Sequence, residues 1–379
     1  MTYSGHFSDA IPLSAGSSIE GVARRTDRYP VYVADSEASA VKYLLQAING
    51  RRTAVICDDT VEALHGQSLA RLLVDNGLDV AVTSIPQGEA HKSLETAARL
   101  LDWLANSAMA RRDVIVAMGG GVVIDTVGWV ASAYMRGMSY INVPTTLLAQ
   151  VDAAIGGKVA VDHAAAKNLV GAFHQPRAVV SNVGYLNTLA PRQLRAGLAE
   201  AIKKGVIASP ELYAFIERGA DDLLAGDPVT TETLVRGASA IKCALISRDP
   251  YEEDLRRPLN FGHTVGHAVE TVTGYGPVLH GEAVALGMTV AIAIAERRGV
   301  TERGELRSVV ELLARTGLPV SLRDLSVEVH VDDVTRALGQ IRKIRDGSLR
   351  FVLPVRLGEC LIADDVSDAE IRAALRHGA

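Results

Sequence analysis

Residues 114–131 read VIVAMGGGVVIDTVGWVA, which is an apolar run, three glycines and a second apolar run. The run 114–118 has the length and β-branched content of a buried strand, and residues 122–131 are a plausible helix. The glycines between them leave backbone N–H groups free to approach a pyrophosphate at the helix N-terminus. The segment lacks the GxGxxG fingerprint, so a purely structural turn stays an alternative. It predicts a strand–turn–helix unit and a candidate phosphate loop.

Short apolar runs alternate with helical stretches through the first half of the chain. Further strands are predicted at 30–34, 52–57, 79–84, 140–143 and 178–180. From about Pro191 the pattern changes to long alanine- and leucine-rich segments, at 194–206, 231–247, 264–273, 282–298 and 304–316. We therefore predict a Rossmann-like α/β domain with a mostly parallel sheet over residues 1–190, followed by an all-α domain over residues 191–379.

Two segments stand outside this scheme. Residues 1–28 are polar and weakly patterned, and we expect an arm or a first strand there. The turn-like sequence Arg345-Asp-Gly-Ser348 precedes an apolar run at 349–354. This pattern indicates one end of a small hairpin.

Charge, cysteine content and hydropathy limit the function classes. The 379 residues carry a formal net charge of -5 and no basic tract, which argues against a nucleic-acid surface. The 3 cysteines form no CxxC pair, which excludes a cysteine metal cluster and suits a reducing compartment. The apolar run 284–295 is too short for a bilayer, and the N-terminus shows no signal pattern. We expect a cytoplasmic enzyme with no nucleic-acid or membrane partner.

Three histidines lie close together in an apolar region. Residues 259–267 read LNFGHTVGH, and His280 follows in the sequence HGEA. On a helix, His263 and His267 are one turn apart on the same face, and His280 could supply a third ligand. The Glu of an HExxH motif is missing, so hydrolytic zinc chemistry is not indicated. The pattern predicts a metal site, with satisfied core or capping histidines as the alternative.

Asp58 follows the predicted strand 52–57. An acidic side chain at that place binds adenosine ribose hydroxyls in dinucleotide-binding folds. A helix N-cap is an equally good interpretation of this residue taken alone.

Several further motifs carry a resemblance to a known family. They are GGGVVID (119–125), YMRG (134–137), VPTTLLAQVD (143–152), GGK (156–158), KN (167–168), GLAEAIK (197–203) and NFGHTVGH (260–267). In this order and spacing, over roughly residues 50–355, the chain resembles 3-dehydroquinate synthase and its sugar phosphate cyclase relatives. The resemblance implies NAD that is reduced and reoxidised within one turnover, and one divalent metal, zinc or cobalt.

The resemblance also implies roles for single residues. It places the metal on Glu200, His263 and His280, and leaves His267 for substrate and proton transfer. The implied catalytic residues are Lys158, Lys203, Glu252, Asn260 and His267. The substrate-binding set adds Arg136, Asp152, Asn168, Lys242, Arg256 and Lys343, and a neighbouring subunit of a homodimer is one source of Arg136. The implied NAD contacts are Asp58, Glu89, Lys92, Gly120, Gly121, Asp125, Thr145, Thr146, Lys167 and Thr188. Any one of these Lys or Arg residues taken alone would be read as a solvated surface charge.

The residues that would select the substrate resemble two different groups of relatives. Arg256, Asn260 and His267 resemble the 3-dehydroquinate synthases, because a guanidinium matches the carboxylate of 3-deoxy-D-arabino-heptulosonate 7-phosphate. Ile124 and Arg257 instead resemble the sedoheptulose 7-phosphate cyclases, which make valiolones, and Asp162 and Gln193 also depart from the usual pattern. We expect a 3-dehydroquinate synthase. The alternatives are a sedoheptulose 7-phosphate cyclase, an amino-dehydroquinate synthase and, from another class, an iron-dependent alcohol dehydrogenase.

Overall fold

The computed structural model describes residues 27–164, 166–251, 257–344 and 348–377. Its strands are β1 Val31–Ala34, β2 Thr53–Asp58, β3 Val80–Ile85, β4 Val114–Gly119, β5 Ser139–Pro144, β6 Lys158–His163, β7 Ala166–Phe173, β8 Ala178–Asn182, β9 Phe351–Arg356 and β10 Glu359–Ala363. The expectations for residues 1–26 and for Glu252, Arg256 and residues 345–347 lie outside the described residues.

The helices divide between the two halves of the chain. In the first half they are α1 Glu37–Ile48, α2 Asp59–Val61, α3 Gln67–Asp75, α4 Leu94–Asn106 and α5 Gly121–Ala133. In the second half they are α6 Pro191–Ala208, α7 Pro210–Arg218, α8 Ala220–Ala225, α9 Pro228–Arg248, α10 His263–Thr273, α11 His280–Arg297, α12 Arg307–Arg315, α13 Val331–Ile344 and α14 Asp368–His377. No helix in these described ranges combines the length and apolar content needed to cross a bilayer.

Six strands form one parallel sheet in the order β1-β8-β5-β4-β2-β3. All six were predicted from the sequence, and the parallel arrangement is confirmed. Strands β2 and β4 are buried along their whole length, as expected for a sheet with helices on both faces. The chain leaves β2 toward β3 and then crosses to β4 on the other side. This switch point opens a crevice at the carboxyl ends, where Asp58 and Gly119 lie.

The sequence analysis did not predict a separate, antiparallel pair of strands. Strands β6 and β7 pair from Lys158 with Phe173 to His163 with Ala166. Polar residues at both ends of β6 and near the start of β7 leave only short apolar runs, which gave no strand signal. The pair packs closely on α5, since a Cβ at Gly128 would lie 2.4 Å from a methyl carbon of Val159. It carries Lys158, Lys167 and Asn168 toward the carboxyl edge of the sheet.

The second half is mainly helical, as predicted. It also contains one pair of strands. Strands β9 and β10 form the hairpin indicated near residue 349. Its turn follows β9 at Gly358, whose φ of +82° suits glycine, rather than preceding it near Ser348. The main apolar cluster includes Phe261, Val284, Leu312 and Phe351, which joins the hairpin to the helices.

Helix α11 approaches α6 and α10 at two glycines. A Cβ at Gly281 would lie 1.9 Å from the carbonyl oxygen of Ala196, and one at Gly287 would lie 1.8 Å from that of Gly262. Backbone carbonyls cannot move aside as a flexible side chain can. Only glycine therefore allows these helices to pack as closely as they do.

We expect Gly281→Ala to destabilise the protein by about 1 to 3 kcal/mol, because the added methyl group forces α11 away from α6. Urea unfolding of the purified variant measures this change. Gly339→Ala is the control, since a Cβ at that position in α13 meets no atom within 4 Å. This control should be neutral or stabilising by up to about 1 kcal/mol. Equal stability of Gly281→Ala and wild type would contradict the packing argument.

Candidate active site

A cavity of about 920 Å³ lies between the carboxyl edge of the sheet and the helical half. The glycine loop and Asp58 line its sheet side, and His263, His267 and His280 line its helical side. Both halves of the chain contribute charged side chains to the same space. This arrangement is typical of a site where a nucleotide and a second small molecule meet.

Three side chains in the cavity have the spacing of metal ligands. Glu200 lies in the middle of α6, His263 is the first residue of α10, and His280 is the first residue of α11. The Nε2 atoms of both histidines lie 3.6 Å from Glu200 Oε1. One donor atom from each residue lies within 4.8 Å of the others. Two imidazoles and one carboxylate suit a divalent metal that keeps open coordination positions.

The local structure at the starts of α10 and α11 positions the imidazoles of His263 and His280. Gly262 has a φ of +79° and turns the chain into α10 immediately before His263. The first turn of α11 is fixed by Glu282, which accepts the Leu279 N–H at 2.8 Å and pairs with Arg192 of α6 at 2.6 Å. These contacts and the glycine packing described above bring His280 against Glu200.

The charges of this cluster fit a bound cation. The Glu200 side chain is 1% exposed, with Lys203 Nζ 2.5 Å from Oε2 and the imidazoles of His263 and His280 facing Oε1. Burial and the nearby Lys203 hold the pKa of His263 well below its ordinary value, so that imidazole is neutral and able to bind metal. Burial opposes the charge of His280, but hydrogen bonding to Glu200 and Glu270 raises its pKa to about 9. A carboxylate so deeply buried needs a cation beside it.

His267 lies one turn beyond His263, with ring centroids 5.3 Å apart. It also belongs to a second, overlapping group with metal-ligand spacing, formed with Glu270 and His280. The assignment of His267 to substrate rather than metal therefore stays a prediction.

We expect Glu200→Ala, His263→Ala and His280→Ala each to abolish bound zinc, whereas His267→Ala keeps it and loses turnover. The reason is that, in the predicted assignment, the first three would supply the ligand atoms and His267 would face substrate. Metal content after dialysis, measured by atomic emission, separates the four variants. If His267→Ala loses zinc while His263→Ala keeps it, the metal lies in the second group instead. If both variants lose zinc completely, His267 is also a ligand and its assignment to substrate is wrong.

Three lysines surround the carboxylates of Glu200 and Asp152. Lys204 Nζ lies 2.7 Å from Asp152 Oδ1 and 3.6 Å from Glu200 Oε2. Lys242 Nζ lies 2.7 Å from Asp152 Oδ2 and donates to its carbonyl oxygen at 2.8 Å. Burial opposes ionisation of Asp152, yet Lys204 and Lys242 hold its pKa well below the ordinary range. Burial lowers the pKa of Lys242 to about 8.

Lys204 was missed by the sequence analysis, which named only Lys203 in this helix. Its position, four residues after Glu200, was the available signal, because such spacing places both side chains on one helix face. The side chain is fully buried, so it is held as a structural counter-charge rather than displayed to the cavity.

We expect Lys204→Met to cost about 3 to 5 kcal/mol of stability, because it leaves Asp152 and Glu200 short of a buried counter-charge. The loss should be larger in protein stripped of metal, since a cation beside Glu200 offsets part of it. Chemical unfolding with and without chelator measures both quantities. Lys42→Met on the exposed face of α1 is the control and should change stability by no more than about 0.5 kcal/mol. An unchanged unfolding curve for Lys204→Met would contradict this account.

On the sheet side, the residues assigned to NAD form ion pairs with one another. Lys92 Nζ lies 2.6 Å from Asp125 Oδ2 and 2.5 Å from Asn168 Oδ1. Lys167 Nζ lies 2.7 Å from Glu89 Oε1. All five line the cavity. The predicted phosphate contact Asn168 is thus joined to the predicted cofactor lysine Lys92.

Asp58 is a helix N-cap that also lines the cavity, and its contact with the ribose of NAD stays a prediction. Its Oδ1 accepts the Val61 N–H at 2.9 Å and caps α2. It also lines the cavity beside the loop that contains Gly120 and Gly121. A Cβ at Gly120 would lie 3.1 Å from Thr146 Cγ2, so the loop and Thr146 pack closely.

Some predicted residues do not reach the cavity. Thr145 and Thr146 lie behind the glycine loop, where the Thr145 N–H donates to the Gly119 carbonyl at 3.0 Å. Thr188 instead contacts His65, with 2.8 Å between Oγ1 and Nε2. None of these three threonines lines the cavity.

Two predicted substrate contacts are also placed elsewhere. Arg136 follows the C-terminal end of α5, about 20 Å along the helix from the glycine loop at its other end. Lys343 lies exposed in the last turn of α13. Neither lines the cavity of this chain. A contribution of Arg136 from a second subunit stays a prediction.

Glu270 was also missed. It lies three residues after His267 on α10, and its carboxylate contacts His280 and Lys167. Burial opposes its charge, but the His280 hydrogen bond and the positive charges nearby lower its pKa. The Glu three residues beyond a predicted ligand histidine was the signal in the sequence.

Comparison with known proteins agrees with this geometry. The family description "3-dehydroquinate synthase N-terminal" matches residues 82–196, and "3-dehydroquinate synthase C-terminal" matches residues 197–343. A 2-epi-valiolone synthase from Actinosynnema mirum is 57% identical over 368 residues, which cover 97% of this chain and 96% of that protein. A 3-dehydroquinate synthase from Desulforamulus reducens is 40% identical over 349 residues, 92% of this chain and 96% of that protein.

A solved structure is also similar to this chain along nearly its whole length. The 2-epi-5-epi-valiolone synthase from Streptomyces hygroscopicus, with NAD+ and Zn2+ bound, has a TM-score of 0.87 and 32% identity, and the match covers 95% of this chain and 99% of that one. Fold, site and relatives define an enzyme of the sugar phosphate cyclase class. The chain belongs to the 3-dehydroquinate synthase family, so the resemblance seen in the sequence motifs is confirmed.

Proposed function

We propose that the protein is a sedoheptulose 7-phosphate cyclase that forms a valiolone-type carbocycle and releases phosphate. The observation that carries this proposal is the 57% identity to a 2-epi-valiolone synthase over nearly the whole of both chains. The 3-dehydroquinate synthase from Desulforamulus reducens stands at 40%. The alternative named from Ile124 and Arg257 is therefore preferred to the 3-dehydroquinate synthase expected first.

The described side chains support this preference. A carboxylated substrate needs cationic partners, and the sequence assigned Arg256, Lys242 and Lys343 to that task. Both carboxylate oxygens of Asp152 are already paired with lysines, one of them with Lys242, and Lys343 lies exposed away from the cavity. Within the described ranges, these lysines form no site aimed at a second carboxylate. A hydroxymethyl group in the same place needs no ionic partner.

The protein uses NAD and one divalent metal. NAD supplies a transient oxidation of a substrate hydroxyl that is reversed before the product leaves. A metal held by Glu200, His263 and His280 would lower the pKa of the hydroxyl that it binds and polarise the resulting ketone. The residues around Glu200 fit such an ion, because one carboxylate and two imidazoles lie within ligand distance of one another in a buried place.

The chain's own residues bind and orient the sugar phosphate. Lys158 and Lys203 line the cavity and offer ammonium groups to the phosphate, with Asn168 beside them. On the helical side, Asn260 and His267 offer hydrogen bonds to hydroxyl groups. Holding the chain of the sugar in a bent shape favours its closure into a ring, since the reacting carbons are already near each other.

A second candidate function, 3-dehydroquinate synthase, is favoured by Arg256, Asn260 and His267. Its substrate has a carboxylate in place of the hydroxymethyl group, and as a 3-deoxy sugar it also lacks one hydroxyl of sedoheptulose 7-phosphate. The two functions share fold, cofactor and metal. A homodimer is expected for either one.

With NAD and zinc, we expect turnover of sedoheptulose 7-phosphate with a kcat/KM at least about 30-fold above that of 3-deoxy-D-arabino-heptulosonate 7-phosphate. A buried carboxylate without a partner costs about 2 kcal/mol or more, which sets this ratio. Phosphate release and mass spectrometry of the carbocycle measure it. His263→Ala protein is the matched control and should release no phosphate.

Two outcomes would count against the proposal. Preferential conversion of the carboxylated sugar would show a 3-dehydroquinate synthase. Stoichiometric NADH accumulating at about 340 nm during steady turnover would instead show a dehydrogenase of the alcohol dehydrogenase type, because a cyclase returns its hydride.

A further inference from the structure

Glu270 links the two sides of the cavity. It is 3% exposed on α10, and its two carboxylate oxygens contact residues on different sides of the cavity. Oε2 lies 3.2 Å from His280 Nδ1, and Oε1 lies 3.3 Å from Lys167 Nζ. One buried carboxylate thus contacts a residue assigned to the metal and a residue assigned to NAD.

The contact with His280 fixes the imidazole. Nδ1 faces Glu270, while Nε2 of the same ring lies 3.6 Å from Glu200 Oε1. When the ring is in its neutral, metal-binding form, a carboxylate that accepts the Nδ1 proton selects the tautomer with a free Nε2 lone pair. The nitrogen that faces Glu200 is then the one ready to bind a cation.

The contact with Lys167 connects Glu270 to the sheet side of the cavity. Lys167 lies on β7, where it also pairs with Glu89 at 2.7 Å and lies 5.1 Å from the centre of the Tyr275 ring. Its ammonium group has three donors, so it can bond Glu270 and another acceptor at once. A ligand that orders Lys167 also orders the carboxylate it shares with His280.

We infer that Glu270 is a positioning residue that couples binding of the divalent metal to binding of NAD, each strengthening the other. This inference rests on the proposed function, in which Lys167 contacts NAD and His280 binds the metal. The physical basis is conformational freedom. Whichever ligand binds first restricts the His280–Glu270–Lys167 chain, and the second ligand then loses less entropy on binding.

The test uses the full-length protein, zinc and NAD, without substrate. Zinc affinity is measured by competition with a chelator, with and without saturating NAD, and NAD affinity is measured by calorimetry. In wild type we expect NAD to tighten zinc binding by about 5-fold or more, with the same factor in reverse. In Glu270→Gln we expect zinc affinity to fall by about 10- to 100-fold and the effect of NAD to disappear.

A matched control and a second variant sharpen the result. Glu296→Gln removes another half-buried carboxylate, on α11, whose partner is the Gly304 N–H, and it should leave both affinities and their coupling unchanged. Lys167→Met removes the other arm of the link. It should abolish the coupling while zinc affinity without NAD stays within about threefold of wild type, since the contact with His280 is intact.

The outcomes are separable. Wild-type zinc affinity or retained coupling in Glu270→Gln would overturn the inference, and so would a total loss of zinc equal to that of His263→Ala, because Glu270 would then be a ligand. If Glu270→Gln does not fold, coupling retained in Lys167→Met overturns it equally. Failure of wild type to bind zinc and NAD would refute the proposed function itself. A preference for the carboxylated sugar would leave the inference standing.

Discussion

The buried carboxylate of Glu200 is the interaction on which the site depends. An ionised group at 1% exposure is stable only if opposite charge surrounds it. The protein supplies that charge from α6 itself, through Lys203 and Lys204, and from the imidazoles at the starts of two other helices. Asp152 and Lys242 extend the cluster to three lysines against two carboxylates. Lys203 and Lys242 line the cavity, and their positive charge makes its helical side attractive to a phosphorylated substrate.

The two halves of the chain make different contributions to this cavity. The parallel sheet provides a crevice with exposed backbone N–H groups, which suits a dinucleotide. The helical half provides fixed charges and imidazoles, which suit a metal and a sugar phosphate. The β6–β7 pair lies between them and carries Lys158, Lys167 and Asn168. Residues from both halves therefore meet around one substrate.

Much of this architecture could be predicted from the sequence. Buried parallel strands leave continuous apolar runs, and all six appeared at the expected places. The β6–β7 pair did not, because its apolar runs are short and several of its residues are polar or exposed. Among the site residues, Glu200, His263 and His280 were placed by the family resemblance, and the structure brings them together. Lys204 and Glu270 were missed, although helical spacing from Glu200 and from His267 gave a signal for each. Their partners Asp152 and Lys167 lie on other elements. Helical spacing within one element cannot identify partners that are so distant in sequence.

His263 and His280, whose imidazoles face Glu200, are each the first residue of a helix. This position has a consequence for local dynamics. The first turn of a helix has N–H groups without intrahelical partners and is the part that frays most easily. A cation that joined His263 and His280 to Glu200 would tie two such ends to the rigid middle of α6. Hydrogen exchange at the starts of α10 and α11 would then slow together when the ion is bound. The ion would act on the fold as a clasp between three helices, in addition to its part in the chemistry.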